Sequence, residues 1–374
     1  MPIIDRYIIS GFLKIFLICF MSFSGLFIVV DAFTNLEEFL EMGQSGSLLN
    51  VIVSYYGPRL LQFFDRTAPL IALVAAIFSV AFMQRSNELT AISAAGISKR
   101  RIAKPLLLTT LAIVVLTMVN RETLIPAFRN LLAMQPQDLS GGKTRSVVMT
   151  VDHETGVSIR GKEVMPVNQE IRDPVFTLPP ELAHLSPTIS AGLGHYLPSN
   201  QDHPAGYLLS QVTSEIEPNA GLNQSQKIVF LPEQNSWLGS EQIFIASSVD
   251  TLYLAFPKEM SRNATLREMV NRSQHPTSSW SNQLKVDIHW RIVQPIFDMS
   301  ILLIGLPLVI SRGERNLFFS AGICLSVVML MILVAIACQS MGASRVLSSA
   351  SLAAWLPIIV FFPFAAITYR LLDH

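Results

Sequence analysis

Six apolar runs, each about as long as a bilayer is thick, constrain this chain more than any other feature. A helix needs roughly 20 mostly apolar residues to cross about 30 Å of hydrocarbon. Six windows meet that requirement: Phe12–Val30, Leu60–Met83, Ile102–Val119, Ile292–Ser311, Leu317–Cys338 and Leu352–Tyr369. The first is too long for a secretory h-region, contains Lys14 and has no small-x-small site before Asp31, so it reads as an uncleaved anchor. Only 14% of the residues are charged, against roughly 25% in soluble domains. The deficit lies in the apolar windows, because residues 121–285 read as ordinary water-soluble sequence.

Lysine and arginine in short loops set the orientation of such a chain. Arg6 and Lys14 open the first span, and Arg85, Lys99, Arg100, Arg101 and Lys104 cluster between the second and third. Arg312 and Arg315 separate the fourth from the fifth, and Arg370 follows the sixth. The opposite face has Asp31, Glu37, Glu38 and Glu41 with no Lys or Arg before Pro58, and Arg345 after the fifth span. Both termini are therefore expected in the cytoplasm and the large polar segment outside, as in a multi-pass protein of a bacterial inner membrane.

The expected fold is a membrane α-helical bundle, arranged three plus three, with an inserted all-β domain of sandwich or roll type. Residues 1–120 hold the first three spans, 121–285 the outer domain and 286–374 the last three spans. Ser146–Val151 and Val157–Arg160 flank Asp152–Gly156 as a hairpin. Further strands are expected at Tyr207–Val212, Lys227–Leu231, Gln242–Ser247 and Thr251–Phe256. Ala264–Asn271 reads as a short helix that Thr265 can cap, with Leu266, Met269 and Val270 on one face. The Pro-rich stretch Asp173–Pro204 reads as long loops. All three cysteines (Cys19, Cys324, Cys338) fall in apolar windows, so the outer domain has no disulfide framework.

Several local patterns carry no chemistry. Gly142-Lys143-Thr144 resembles the end of a phosphate-binding loop, but the required first glycine is Gln137. Asn223, Asn263 and Asn271 open glycan-acceptor triplets and read as surface loops. The seven histidines are scattered without HExxH, and no Ser/His/Asp context or carboxylate pair indicates catalysis. Zero formal net charge and the absence of a basic arm speak against nucleic acid. No cofactor or metal site is indicated.

Two features invite a functional reading. Residues 86–98 form a short amphipathic helix with Leu89, Ile92 and Ala95 at helical spacing, Ser86 or Asn87 able to cap it and Gly96 able to end it. One reading is a membrane-surface turn obeying the positive-inside rule; the other is a rigid knob for a partner's groove, which also explains Glu88 and the small Ala91, Ala94 and Ala95. Asp298 lies about two turns into the fourth span, and intramembrane carboxylates face protein or a wet cavity. With Arg291 and Asp65–Arg66 at similar depth, it reads either as part of an ion pair holding helices or as the polar lining of a ligand cavity.

Five pieces in order resemble one known family, the LptF/LptG permeases of lipopolysaccharide-export ABC transporters. They are Asp5-Arg6-Tyr7, then Asn87-Glu88-Leu89 with Ala94-Ala95-Gly96-Ile97-Ser98, then Asn120-Arg121-Glu122 with Ile125-Pro126. His289-Trp290-Arg291-Ile292-Val293-Gln294-Pro295 and Ala353-Ala354-Trp355-Leu356-Pro357 complete the set. The resemblance implies a six-helix membrane subunit with a periplasmic β-jellyroll-like domain. It implies a coupling helix of Glu88, Leu89, Ile92, Ala94, Ala95, Gly96, Ile97 and Ser98, seated in a cytoplasmic ABC ATPase dimer that uses ATP and Mg. It implies three further partners: a second such permease, periplasmic bridge proteins of similar fold, and lipopolysaccharide or a similar lipid. Arg59, Arg66, Arg291 and Asp298 are the expected outer-leaflet polar contacts. The family commonly places a cation near the outer end of the first span, where this chain has Asp31 and Glu37–Glu41. The contrasting expectation is a membrane-anchored scaffold or sensor whose β-domain binds a partner without transport. An intramembrane enzyme using Asp298 and Asp65 lacks any paired motif.

Overall fold

The computed structural model describes residues 3–44, 48–139, 144–152, 154–182, 186–201, 203–214, 228–232, 235, 237–274, 281–310, 317–344, 346–347 and 349–370. Lys143 of the glycine-lysine-threonine run, His153, Asn223, Lys227, Arg312, Arg315 and Arg345 lie outside these residues. The chain opens with α1 (Ile3–Thr34), α2 (Leu36–Gln44), α3 (Leu48–Arg85), α4 (Glu88–Ala94) and α5 (Lys99–Glu122). Three short helices follow: α6 (Leu124–Ala127), α7 (Arg129–Ala133) and α8 (Pro136–Leu139). The strands are β1 (Arg145–Ser146), β2 (Thr150–Val151), β3 (Ser158–Arg160), β4 (Glu163–Met165) and β5 (Glu170–Arg172). They continue with β6 (Val175–Thr177), β7 (Thr188–Leu197), β8 (Gly206–Val212), β9 (Val229–Phe230) and β10 (Ile243–Ala246). The chain closes with α9 (Thr251–Ala255), α10 (Pro257–Arg262), α11 (Leu266–Ser273), α12 (Ser281–Ile310), α13 (Leu317–Ala343) and α14 (Ala350–Arg370).

Six helices among the described residues are long and apolar enough to span a membrane, one for each of the six windows read from the sequence, with Ser311 at the end of the fourth window outside the described residues. They run past the apolar windows because helix does not stop at the edge of the hydrocarbon; α3 extends over 38 residues. Small residues let the backbones approach: Ala68, Ala72, Ala75 and Ala76 of α3 are all fully buried. The shared core joins Leu73 and Ile77 of α3, Ile102 and Leu106 of α5, Ile301 and Ile304 of α12 and Cys324 of α13. α3 and α12 are the most enclosed of the six and α1 the least; the buried residues of α1 are Ile8, Phe12, Phe16 and Ser24, with Phe20 and Phe27 partly buried against Phe63 of α3. Pro58 and Pro69 in α3, Pro295 and Pro307 in α12, and Pro357 and Pro363 in α14 lie inside helices. Neighbouring helices can satisfy the carbonyls that such prolines free.

The inserted domain is one curled antiparallel sheet of ten strands, a half-barrel, in agreement with the expected roll. Its order runs β1-β4-β5-β7-β6-β3-β2, with β8 also on β7 and β10 bridging β8 and β9. The ten-residue β7 is the spine: Thr188–Ser190 pair with β6, Leu193–His195 with β5, and the opposite edge with β8. Alternate residues point inward, and Ile159, Ile171, Phe176, Ile189, Tyr207, Leu209 and Ile245 fill the interior with no exposed surface. Gly206 has a specific steric reason: a Cβ there would collide with the Ile245 carbonyl of the paired strand.

Asp152 anchors the β2–β3 turn. Its fully buried carboxylate accepts from the Glu154 and Ser248 amides at 3.0 and 2.8 Å and from the Thr155 and Ser248 hydroxyls at 3.0 and 2.7 Å. Gly156 then takes the left-handed φ of 73° and returns its amide to the Asp152 carbonyl at 2.8 Å.

Four sequence expectations for the inserted domain need correction. Asp173–Pro204 is not mainly loop, since it contains β6 and β7; its prolines 174, 179, 180, 187, 198 and 204 bracket strands instead of interrupting them. Thr251–Phe256 is helical, because the Asp250 side chain accepts from the Tyr253 amide at 2.7 Å and caps α9. Asn263 and Asn271 are not in surface loops: Asn263 is buried and Asn271 lies within α11. The expected strand Ser146–Val151 is divided, β1 pairing with β4 and β2 with β3. α11 does begin at the Thr265 cap, whose hydroxyl accepts from the Glu268 amide at 3.2 Å, with Met269 buried beside Leu266 and Val270.

Candidate functional site

The candidate site has two ends. At the end of the bundle away from the sheet, α4 follows the second span directly. Leu89 is buried and Ile92 packs against the same core, while Ala91, Ser93, Ala94, Ala95, Gly96 and Ser98 are exposed. α4 therefore turns its larger apolar residues into its own bundle and presents a small-residue face outward. Its C-terminus closes as a Schellman motif: the Ile97 amide bonds the Ile92 carbonyl at 3.2 Å and the Gly96 amide bonds that of Ser93 at 3.0 Å. Gly96 has φ 78°, a value that favours glycine. The expected side-chain cap at the other end is not made. Asn87 is itself left-handed, with φ 58° and no capping bond, and the Ser86 hydroxyl turns back to the Phe82 carbonyl at 2.9 Å.

Two residues of the opening Asp5-Arg6-Tyr7 reach this helix region. The Tyr7 hydroxyl donates to both Glu88 carboxylate oxygens, at 3.0 and 3.1 Å. Asp5 pairs with Arg101 at the start of α5 at 3.2 Å. Arg100 stacks over the Tyr369 ring at 5.3 Å, bringing in the last span.

At the sheet end, polar residues of three spans meet. Arg121 of α5 pairs with Asp65 of α3 at 2.9 Å and donates to Gln294 of α12. Asp298, four residues beyond Gln294, is only 8% exposed and lies in the field of both Arg121 and Asp65. Asn120 donates to the Leu61 carbonyl at 2.9 Å, and Gln62 to Asn263 at 2.8 Å. Arg291 does not pair with Asp298: it donates to the Ala264 carbonyl at 2.7 Å, to that of Arg262, and to Glu122 at 3.4 Å. Glu122 also accepts the Leu266 amide at 2.8 Å. The result is a clasp between the ends of spans three and four and the helices leaving the sheet.

The remaining cations differ in their engagement. Arg59 donates to the Tyr55 and Met134 carbonyls and lies 3.3 Å over the Tyr55 ring. Arg66 is exposed and makes no hydrogen bond or ion pair among the described residues, with Arg262 near enough to interact electrostatically. Asp31, at the end of α1, accepts from Tyr56 at 2.8 Å.

Sequence reasoning gave no role to Asp5, Tyr7, Asn120, Arg121, Glu122 or Gln294. The available signal was their place in the five resembling pieces at the ends of spans, where polar side chains find no water on one side.

The family model for the lipopolysaccharide export system permease LptF/LptG matches residues 6–162 and 205–371. Comparison with curated proteins gives no match. The matched stretches take in all six spanning helices and most strands of the curled sheet, and the chain belongs to the LptF/LptG family of lipopolysaccharide export permeases.

Proposed function

We propose that this inner-membrane permease is the moving wall of an ABC exporter that lifts lipopolysaccharide from the outer leaflet and hands it to a periplasmic bridge. Both termini and α4 face the cytoplasm, and the curled sheet stands in the periplasm. A cytoplasmic ATPase dimer binds ATP and Mg and receives α4 in a groove. A second LptF/LptG-type permease completes the cavity between the spans, and bridge proteins of similar fold continue from the sheet. This chain carries force and lipid; ATP hydrolysis belongs to the partner.

The supporting observation is α4 itself. A seven-residue helix with only Leu89 buried, an exposed alanine face and a well-formed C-cap suits contact with a separate protein. The coupling set is Glu88, Leu89, Ile92, Ala94, Ala95, Gly96, Ile97 and Ser98, with Leu89 and Ile92 anchoring it and the exposed members making contact. An apolar route is required throughout, because each acyl CH₂ exposed to water costs about 0.8 kcal/mol. The filled interior around Phe176 and Leu209 gives that chemistry, with acyl chains replacing side-chain contacts as they pass. At the outer leaflet Arg66 is the cation best placed for an anionic headgroup. Arg59, Arg291 and Asp298 shape the site from positions held by other groups.

The test is co-purification of the ATPase with full-length chain carrying Glu88→Lys or Gly96→Pro. Loss of the ATPase from both, with unchanged yield of folded permease, supports the reading. Retention by both variants, or labelling that puts residue 91 on the periplasmic side, removes it.

A further inference from the structure

We infer that Tyr7 is a positioning residue, which sets the tilt of α4 through the Glu88 carboxylate and ties it to the first span. The inference rests on the permease reading. Its geometry is that of a strap. Two residues separate α4 from the end of α3, so its base follows the second span through the chain itself. Its own burial is slight, since Leu89 is its one buried residue. A short helix seated only by Leu89 and, one turn on, the partly buried Ile92 can rock about the line that joins them, and a polar contact off that line is what sets its tilt. The Tyr7 hydroxyl supplies the contact, at 3.0 and 3.1 Å from the two Glu88 oxygens and 81 residues away in sequence.

The strap is reversible by construction. Tyr7 is 56% exposed, so the bond competes with water and holds with the modest net strength of a surface hydrogen bond. It has a parallel partner in Asp5, two residues earlier, which engages Arg101 just past the other end of α4. Helix α1 thus touches both flanks of the small helix, at Glu88 and at Arg101. α1 is also the least enclosed of the six spanning helices. A displacement of α4 by a docked protein is therefore passed to the helix with the least packing to resist it. The tyrosine hydroxyl is needed for this, whereas its ring makes no aromatic contact among the described residues.

The experiment uses the complete transporter in proteoliposomes with Tyr7→Phe, Glu88→Ala and the double variant. Lipid delivered per ATP hydrolysed should fall about fivefold in Tyr7→Phe, the Boltzmann weight of one net hydrogen bond. ATPase co-purification should stay at the wild-type level. A merely structural role would lower yield and hydrolysis together, and would leave their ratio to lipid export unmoved. The double variant should lose no more than Glu88→Ala alone, because both remove one contact. Wild-type coupling in Tyr7→Phe, or losses that multiply in the double variant, would overturn the inference. Should the wild-type chain bind no ATPase, the permease reading falls separately. Hydrogen exchange at residues 88–97 then decides the strap: faster in Tyr7→Phe supports it, unchanged refutes it.

Discussion

Arg121 and Asp65 face each other between the third and second spans, with Nη2 2.9 Å from Oδ1 and each side chain only 13% exposed. Nε of the same guanidinium also donates to both carboxylate oxygens, at 2.9 and 3.2 Å. With Asp298 buried nearby, Arg121 is the cation that both carboxylates share. Removing the cation is therefore worse than removing one anion. Arg121→Met should destabilise the bundle by about 3–5 kcal/mol, the usual result of stranding buried charge. Adding Asp65→Asn and Asp298→Asn should recover most of it. Thermal melting of the purified chain in nanodiscs checks the order: wild type, then the triple variant, then Arg121→Met. If Arg121→Met melts with the wild type, the cluster does not hold the helices.

Glu122 makes a different kind of link. Its two oxygens reach the Leu266 amide and Arg291, so one side chain binds the start of α11 to span four. At 40% exposure it is partly wet, and its loss should cost about 1–2 kcal/mol locally. Glu122→Ala should speed hydrogen exchange at residues 264–270 and leave the β7–β8 amides protected. Equal acceleration in both places would mean that the sheet and α11 unfold as one unit, contrary to a local clasp.

The membrane spans were legible because bilayer thickness imposes a length, and no local detail is needed to see it. The short outer helix around Met269 was legible because its Thr265 cap and its apolar face are both written within eight residues. The sheet was only half legible. β4, β5 and β6 have three residues each, too few for alternation to register, and the prolines that frame β6 and β7 look like loop until pairing shows them at strand ends. Thr251–Phe256 alternates as a strand would, but Asp250 before it decides for helix. The polar contacts were hidden for another reason. Tyr7 and Glu88 are 81 positions apart, Arg121 and Asp65 56, and Arg291 and Glu122 169. No periodicity joins residues so distant, and Arg291–Asp298, the pair that helical spacing favours, does not form.

Asp250 yields a pH prediction in the domain outside the membrane. Burial pushes its carboxyl above the usual carboxylate range, against the pull of the Tyr253 amide it caps and of Arg129 and Arg272. A pKa higher folded than unfolded means that the native state holds the extra proton between the two values. The contribution to stability is then fully present below the unfolded value of about 3.9 and is lost as pH rises through the folded value. At neutral pH the charged Asp250 is a net burden that the cap only partly offsets. Asp250→Asn keeps the capping oxygen and removes the charge, so it should equal or exceed the wild type at pH 7. That advantage should shrink as pH falls below the folded value. Asp250→Ala should instead lose about 1 kcal/mol of capping at pH 7, less whatever burial cost it removes. Melting of the three full-length chains between pH 5 and pH 7.5 separates the cases. A wild type that outlasts Asp250→Asn at pH 7 and loses its lead on acidification would show that the ionised carboxylate stabilises the fold, reversing the sign argued from burial.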